Sequence, residues 1–366
     1  MTSHKPSDLR WMNVALAQAE MALGQTAENP AVGCAIISAD NRLVGVGRTS
    51  PSGRPHAEVN ALAMAGDAAK GGAAYVTLEP CAHHGKTPPC ADALINAGIS
   101  CVVIAHGDPD KRVSGKGIAR LEDAGIIVRK GVGEAAAARQ MAGFLSRQNK
   151  GRPFISLKMA TSADGYITAE KGSQTWLTGE LARRYVHAMR SRFDCVMTGS
   201  QTIMVDNPQL NVRLPGFSHQ QPALAILDSH AQIPANMACF NAQRPVFLYH
   251  ALQANSAHLP KTVLPISITR DSIGLSLVDI MSDLAQRGIS SVMMEAGRTL
   301  ALSLIDANLV DEIIWLKAPH KLGRGVLAWD SASTLDFSAP KNYINSSSIM
   351  LGDDELGVWH PANRLS

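Results

Sequence analysis

The sequence predicts an α/β protein of two domains, and three observations predict it. The chain has 366 residues, more than a single core usually organises. Short apolar runs rich in Val and Ile alternate with longer segments whose apolar residues recur at helical spacing, the pattern of layered α/β folds. Near the middle, Gly151-Arg152-Pro153 interrupts that alternation with residues that break both helix and strand. Apolar residues make up 46% and aromatics 5%, which suits ordinary α/β cores, and the formal charge of +3 is too mild to imply a nucleic-acid or membrane partner. No apolar run reaches membrane-spanning length and the polar start Met1 to Asp8 does not read as a signal peptide, so a cytoplasmic location is expected.

In the first half, Asp8 to Gly24 reads as an amphipathic helix through Leu9, Met12, Leu16 and Leu23, with Gly24 ending it. Asn29-Pro30 leads into a strand from Val32 to Ile37, and Asp40-Asn41 turns into a second from Leu43 to Val46. Ala57 to Lys70 reads as a short helix stopped by Gly71-Gly72, with His56 and Glu58 in its first turn. Tyr75 to Leu78 is a strand, a helix begins near Cys90, and Cys101 to Ala105 is another strand. A helix around Gly117 to Ala124 and a strand from Ile126 to Val128 complete the order β-β-α-β-α-β-α-β, a layered sandwich followed by an Ala-rich helix and linker from Gly131 to Lys150.

A second series follows the boundary. Strands are expected at Phe154–Met159, Asp194–Thr198, Ala223–Leu227, Val246–Tyr249, Ser291–Met294 and Glu312–Leu316, and helices at Ala182–Arg192, Leu277–Arg287 and Thr299–Ala307. There is no G-x-G-x-x-G fingerprint, so a Rossmann dinucleotide site is not indicated. The strand-to-helix junctions at Gly199–Thr202 and Gly297–Ala301 are candidates for holding phosphate on helix N-terminal amides.

The chemistry concentrates in the first half. His56, Cys81 and Cys90 supply one imidazole and two thiols, the ligand set of a catalytic zinc site that keeps a fourth position for water. Two thiolates cancel the charge of Zn2+, so a bound water can ionise at moderate pH. Glu58, two residues after the histidine, is placed to move protons without binding metal. His-x-Glu with a later Pro-Cys-x-x-Cys is the zinc deaminase signature, from which this chain departs by having eight residues between its cysteines. Two other readings stay open here: a structural zinc site with His83 or His84 as fourth ligand, and a metal-free pair of buried cysteines. Cys34, Cys101 and Cys195 sit in apolar runs and are expected to be buried small hydrophobes rather than a disulfide framework.

Taken together, His56-Ala-Glu58-Val, Thr77-Leu-Glu-Pro-Cys81, His83-His-Gly-Lys86-Thr-Pro-Pro-Cys90 and Asp108-Pro109 resemble the bifunctional riboflavin-biosynthesis protein family. In the second half, Leu157-Lys158, Ser162-Ala-Asp164-Gly165, Trp176-Leu-Thr, Arg190, Asp206-Asn207-Pro208, Arg213, Asp228-Ser229 and Glu295-Ala-Gly297 agree with it. The long insert between Cys81 and Cys90 is typical of that family. The resemblance implies a cytidine-deaminase-like three-layer sandwich over residues 1–148 and a dihydrofolate-reductase-like domain over residues 152–366. It implies a zinc-dependent deaminase joined to an NADPH-dependent reductase, both acting on a phosphoribosylamino pyrimidine, in a homo-oligomer.

Carried over by position, the resemblance gives Asn29, His83 and Lys86 as substrate contacts of the deaminase, with Lys86 suited to a phosphate. Asn29 also reads as a turn residue, and His84 as structural or exposed. In the reductase, Ala160, Trp176, Thr202, Asp206, Ser229 and Gly297 are expected to line the NADPH site, with Arg190, Leu210, Arg213 and Glu295 holding substrate. The two arginines suit bidentate bonding to the sugar phosphate, and Lys158 and Glu295 suit proton transfer at the opening ribose. Trp176 reads equally well as core packing. The family often has a serine where this chain has Gln174, so Ser173 or Gln174 is the candidate to replace that contact. The competing functional readings are a nucleoside or tRNA deaminase with a fused non-catalytic domain, and a zinc-stabilised binding module.

Overall fold

The computed structural model describes residues 6–83, 88–110, 114–217, 221–271, 274–328 and 342–362. The chain divides into two compact units, Met1–Arg152 and Pro153–Ser366. The first contains, in order, α1 (Pro6–Glu20), β1 (Gly33–Ile37), β2 (Leu43–Arg48), α2 (Ala57–Ala65), β3 (Ala73–Leu78), α3 (Cys90–Asn96), β4 (Cys101–His106), α4 (Lys116–Asp123), β5 (Ile127–Lys130), α5 (Glu134–Gln140) and α6 (Ala142–Lys150). Its sheet has the strand order β2-β1-β3-β4-β5. β1 runs antiparallel to β2 and β3, whereas β3, β4 and β5 are parallel.

Glycines show how the layers stack. A Cβ on Gly33 would lie 1.8 Å from the carbonyl oxygen of Ala15, so α1 presses on that face of β1. Gly47 pairs with Cys34 and therefore points to the other face, where a Cβ would lie 2.2 Å from the carbonyl oxygen of Ala57 in α2. Helices thus cover both faces and make the three-layer sandwich the sequence implies. Asp8 ties α1 to the sheet by accepting from the hydroxyl of Tyr75 at 2.9 Å and from Nη1 of Arg129 at 2.6 Å.

Several boundaries differ from expectation for local reasons. α1 stops at Glu20 and the chain continues to Gly24 in turns. α2 ends at Ala65 because Gly66 takes φ 53, and a 3-10 turn, not helix, spans Gly66–Ala69. His56 is the N-cap of α2 rather than part of its first turn. The Ala-rich segment makes two helices, broken at Met141, instead of one. Cys101 is half-buried, not fully enclosed like Cys34 and Cys195, because it opens the outer part of β4.

The second unit contains β6 (Phe154–Thr161), β7 (Tyr166–Thr168), α7 (Glu180–Arg190), β8 (Cys195–Gly199), α8 (Ser200–Asp206), β9 (Ala223–Leu227), β10 (Val246–Ala251), β11 (Val263–Ile268), α9 (Leu277–Gln286), β12 (Ser291–Glu295), α10 (Arg298–Asp306), β13 (Glu312–Lys317), β14 (Val326–Leu327), β15 (Tyr343–Leu351) and β16 (Asp354–Pro361). Nine strands form one sheet in the order β11-β10-β9-β8-β12-β6-β13-β16-β15, while β7 and β14 pair separately. The strands from β11 to β13 in that order are parallel, and β16 and β15 are added antiparallel.

Period-two alternation sorts the core. Val292 and Met294 of β12, with Ile313 and Trp315 of β13, pack beneath Ile280 and Leu284 of α9 and Ala301 and Leu304 of α10. Met293 and Ile314 face the other way, against Ala182, Val186 and Met189 of α7. Both faces of the parallel sheet are therefore covered, as parallel strands require. From β6 the chain builds β13 on one side and β8 to β11 on the other, with β12 between β6 and β8. Such a switch point leaves a crevice at the carboxyl ends of the strands.

Candidate functional site

In the first unit the ligand-type residues arrive from three different elements. His56 caps α2 in extended conformation (φ −74, ψ 165), Cys81 follows the end of β3, and Cys90 opens α3. Their donor atoms lie within 4.8 Å of one another, with His56 Nδ1 3.3 Å from Cys90 Sγ and 3.8 Å from Cys81 Sγ. The backbone N–H of Cys90 donates to Cys81 Sγ at 3.3 Å, placing the first amide of α3 on that sulfur.

The hydrogen bond with the Cys90 thiol, then His56 and that amide, lower Cys81 to about 4 against the cost of burial. The Cys81 thiolate beside it, together with burial, pushes Cys90 up. One proton thus remains on the pair, the one a dication held by both sulfurs displaces. Glu58 is only 3% exposed, and burial raises its pKa although the neighbouring His56 pulls the other way. It stays outside the donor group, beside Cys90. One nitrogen, two sulfurs and an unligated acid fit Zn2+ in an open site.

The remaining residues expected here are placed as follows. Asn29 is half-buried with its side-chain amide over Gly53, where a Cβ would lie 2.0 Å from Asn29 Nδ2. Gly53 takes φ 90 in the turn just before His56, so this position needs a glycine twice over. His83 is exposed and, among the described residues, is not part of the donor group. Lys86 and His84 lie outside the described residues.

Sequence reasoning missed the role of Glu79. Its buried carboxylate accepts from the backbone N–H groups of Gly115 and Gly117 at 3.1 Å, and from Asp108 and Ile118 at 3.4 Å. It thereby caps α4 and fixes the strand exit that carries Cys81. Gly117 permits the approach, since a Cβ there would lie 1.9 Å from the carbonyl oxygen of Pro80. The sequence signal was an acid between an apolar strand and Pro-Cys. Glu79→Gln is expected to weaken zinc retention by about 10- to 100-fold in chelator competition, because one oxygen acceptor is replaced by a donor facing N–H groups. Unchanged zinc affinity would mean that Cys81 needs no such support.

In the second unit one cleft of about 1820 Å³ lies at the switch point. It is lined by Ala160, Trp176, Thr202, Asp206, Ser229 and Gly297, and also by Arg190, Leu210, Arg213 and Glu295, so all the expected second-half residues meet there. Lys158, inside β6, and Glu295, the last residue of β12, are register partners, with Nζ 4.0 Å from Oε2. Arg190 forks onto Glu295 through Nε at 2.5 Å and Nη2 at 2.9 Å, and its Nη1 donates to the carbonyl of Asn211 at 3.1 Å. Burial opposes the Glu295 charge, but the Arg190 guanidinium and then Lys158 outweigh it and hold the carboxyl at about 2. Burial lowers Lys158 and raises Asp206.

This geometry changes the reading of the arginines. The fork of Arg190 is filled by Glu295, whereas Arg213 is exposed in the cleft and donates Nη1 to the side chains of Gln209 and Asn211. Trp176 is 69% exposed with the Arg183 guanidinium 5.4 Å from its ring centre, so core packing is excluded. Gln174 and Ser173 both line the cleft. A Cβ on Gly297, the N-cap of α10, would meet nothing within 4 Å, so the space over that helix start is open, which fits a nucleotide phosphate. His187 also lines the cleft and was not foreseen; burial, then Arg190 and Arg213, lower it to about 4, and Nδ1 faces the carbonyl of Asn211 at 3.0 Å.

Comparison with known proteins agrees with both halves. Residues 5–106 match the cytidine and deoxycytidylate deaminase zinc-binding region, and residues 153–343 match the RibD C-terminal domain. The chain is 40% identical over 329 residues to the riboflavin biosynthesis protein RibD of Escherichia coli K12, covering 86% of this chain and 89% of that one. It is 38% identical over 375 residues to that of Haemophilus influenzae, covering 99% of each. Among solved structures, Acinetobacter baumannii RibD has a TM-score of 0.85 at 36% identity, covering 97% of this chain and 99% of that one. A diaminohydroxyphosphoribosylaminopyrimidine deaminase/5-amino-6-(5-phosphoribosylamino)uracil reductase from Thermotoga maritima has a TM-score of 0.87 at 31% identity, with the same coverage. A zinc centre in one unit, a cleft at the sheet switch of the other, and these similarities over nearly the whole length lead to one assignment: the chain belongs to the RibD family of riboflavin biosynthesis proteins.

Proposed function

We infer that this chain is a bifunctional enzyme of riboflavin biosynthesis whose first unit deaminates 2,5-diamino-6-(5-phosphoribosylamino)pyrimidin-4-one and whose second reduces the ribosyl group to ribityl. The observation that carries the first half is the trio His56, Cys81 and Cys90 with Glu58 left unligated beside it. These three residues hold Zn2+, which when bound supplies Lewis-acid activation of the attacking water. Glu58, kept basic enough by burial to accept a proton, would take one from the attacking water and pass it to the ring nitrogen, then carry the second proton of the same water to the amine as it leaves as ammonia. Asn29 donates to the pyrimidine, and His83 and Lys86 hold the substrate from the segment between the cysteines.

In the second unit NADPH, when bound, supplies the hydride. Ala160, Trp176, Thr202, Asp206, Ser229 and Gly297 form its wall of the cleft. Arg213 takes the sugar phosphate, Leu210 covers the pyrimidine side, and Arg190 fixes Glu295 toward the ribose. Lys158, lowered by burial, is the proton donor to the opening sugar. The reading as a nucleoside or tRNA deaminase with a fused inactive domain is not favoured, since the match continues through residues 153–343.

No helix among the described residues is long and apolar enough to cross a membrane, and the six cysteines are free thiols. The free thiols suit a reducing compartment, and so a cytoplasmic enzyme acting on small-molecule substrates, with a homo-oligomeric state resting on the family resemblance alone. The test is a coupled assay on the phosphoribosylamino pyrimidine that follows ammonia and NADPH together. A chelator is expected to stop ammonia release and to leave reduction of pre-deaminated substrate intact; ammonia release that survives full zinc removal would overturn the first half.

A further inference from the structure

The segment that carries Leu210 and Arg213 is held by its backbone. Four consecutive carbonyls, those of Gln209, Leu210, Asn211 and Val212, each accept from a side chain: the first two from Arg244, the third from Arg190 and the fourth from Gln221. Arg244 donates Nη1 to Leu210 and Nη2 to Gln209, both at 2.5 Å, and Nη2 also approaches the carbonyl of Cys239 at 3.4 Å. Leu210 is in the left-handed region at φ 51, a conformation a leucine holds only when its surroundings impose it. Arg244 is 9% exposed and forms no direct ion pair with a carboxylate among the described residues, Glu295 acting on it only through space. Burying a guanidinium without a direct ion-pair partner is costly, and here burial lowers its pKa to about 10. Arg244 does not line the cleft, so whatever it does there passes through the backbone it grips.

We propose that Arg244 is a positioning residue of the reductase site, whose fork locks Gln209 and Leu210 into the left-handed bend that presents Leu210 and Arg213 to substrate. This rests on the reading of Arg213 as the phosphate ligand. A lysine cannot satisfy two carbonyls with one planar fork. In the full-length enzyme, Arg244→Lys is therefore expected to raise the KM for pre-deaminated pyrimidine substrate at least about tenfold. The kcat, the KM for NADPH and the deamination rate should stay close to wild type. An unchanged substrate KM overturns the proposal, and so does an equal rise in the KM for NADPH, the mark of general loosening.

Arg213→Ala and the double variant complete the test. If Arg213→Ala leaves substrate KM unchanged, the phosphate reading of Arg213 fails and this proposal with it. If Arg213→Ala raises KM and Arg244→Lys does not, only the proposal fails. Effects on KM that are less than additive in the double variant support action through Arg213, whereas full additivity contradicts it. Should Arg244→Lys not fold, Arg244→Gln, which removes the buried charge and keeps one donor pair, gives the same readouts.

Discussion

Glu58→Gln is expected to cut ammonia release by about a thousandfold or more while zinc stays bound and reduction of pre-deaminated substrate continues at the wild-type rate. The carboxylate acts twice in each turnover, and one positioned acid or base contributes about 10²- to 10⁴-fold. Zinc should remain because the donor group is His56, Cys81 and Cys90, and Glu58 is not a member. The fold should be at least as stable, since a glutamine has no charge to desolvate where burial already opposes one. Metal analysis, thermal unfolding and the two assays check these together. Undiminished deamination would remove Glu58 from the mechanism, and lost zinc would make it a ligand.

Arg190→Met is expected to destabilise the second unit by about 3–5 kcal/mol and to abolish reduction, because it leaves Glu295 charged, buried and without its fork. Both side chains are about one-tenth exposed, so water cannot replace the lost donors. For a unit of this size that loss corresponds to a fall of about 10 °C in its unfolding temperature. The pH dependence has a definite sign. The Glu295 carboxyl is lowered from 4.5 to about 2, so its contribution is fully present above about 4.5 and is lost as pH falls toward 2. The amount at stake is about 3 kcal/mol. Denaturant unfolding of wild type should weaken across that window, and Arg190→Met should show less of the decline. Parallel curves for the two proteins would mean that Arg190 does not hold the Glu295 charge.

The zinc centre was legible because its chemistry is written in side chains close together in the chain, from His56 to Cys90. The sandwich around it was legible from period-two and helical patterning. What stayed hidden depends on backbone partners or on distance. Glu79 works through amides at Gly115 and Gly117, and Arg244 through carbonyls at Gln209 and Leu210, and neither partner leaves a mark in the sequence. The fork of Arg190 onto Glu295 spans 105 positions, so each read singly as a substrate contact. Of the strands that escaped (β7, β11, β14, β15 and β16), two did so for opposite reasons. β11 is the sheet edge and contains Pro265, which a central strand does not tolerate. β15 is exposed along nearly its whole length and holds Ser346, Ser347 and Ser348 in a row, with no alternation to find. Trp176 was ambiguous between core and cleft until its exposure placed it.

The placement of β12 between β6 and β8 bears on how this enzyme comes to exist on the ribosome. A nascent chain that has emerged only through β11 has two open sheet edges where its middle strand belongs, each able to capture a foreign strand. Residues 291–295 close that gap and in the same event bring Glu295 opposite Lys158. Reductase competence therefore arrives late in synthesis, whereas the deaminase unit, complete by Arg152, has by then had its full complement of residues for roughly two-fifths of the chain's length.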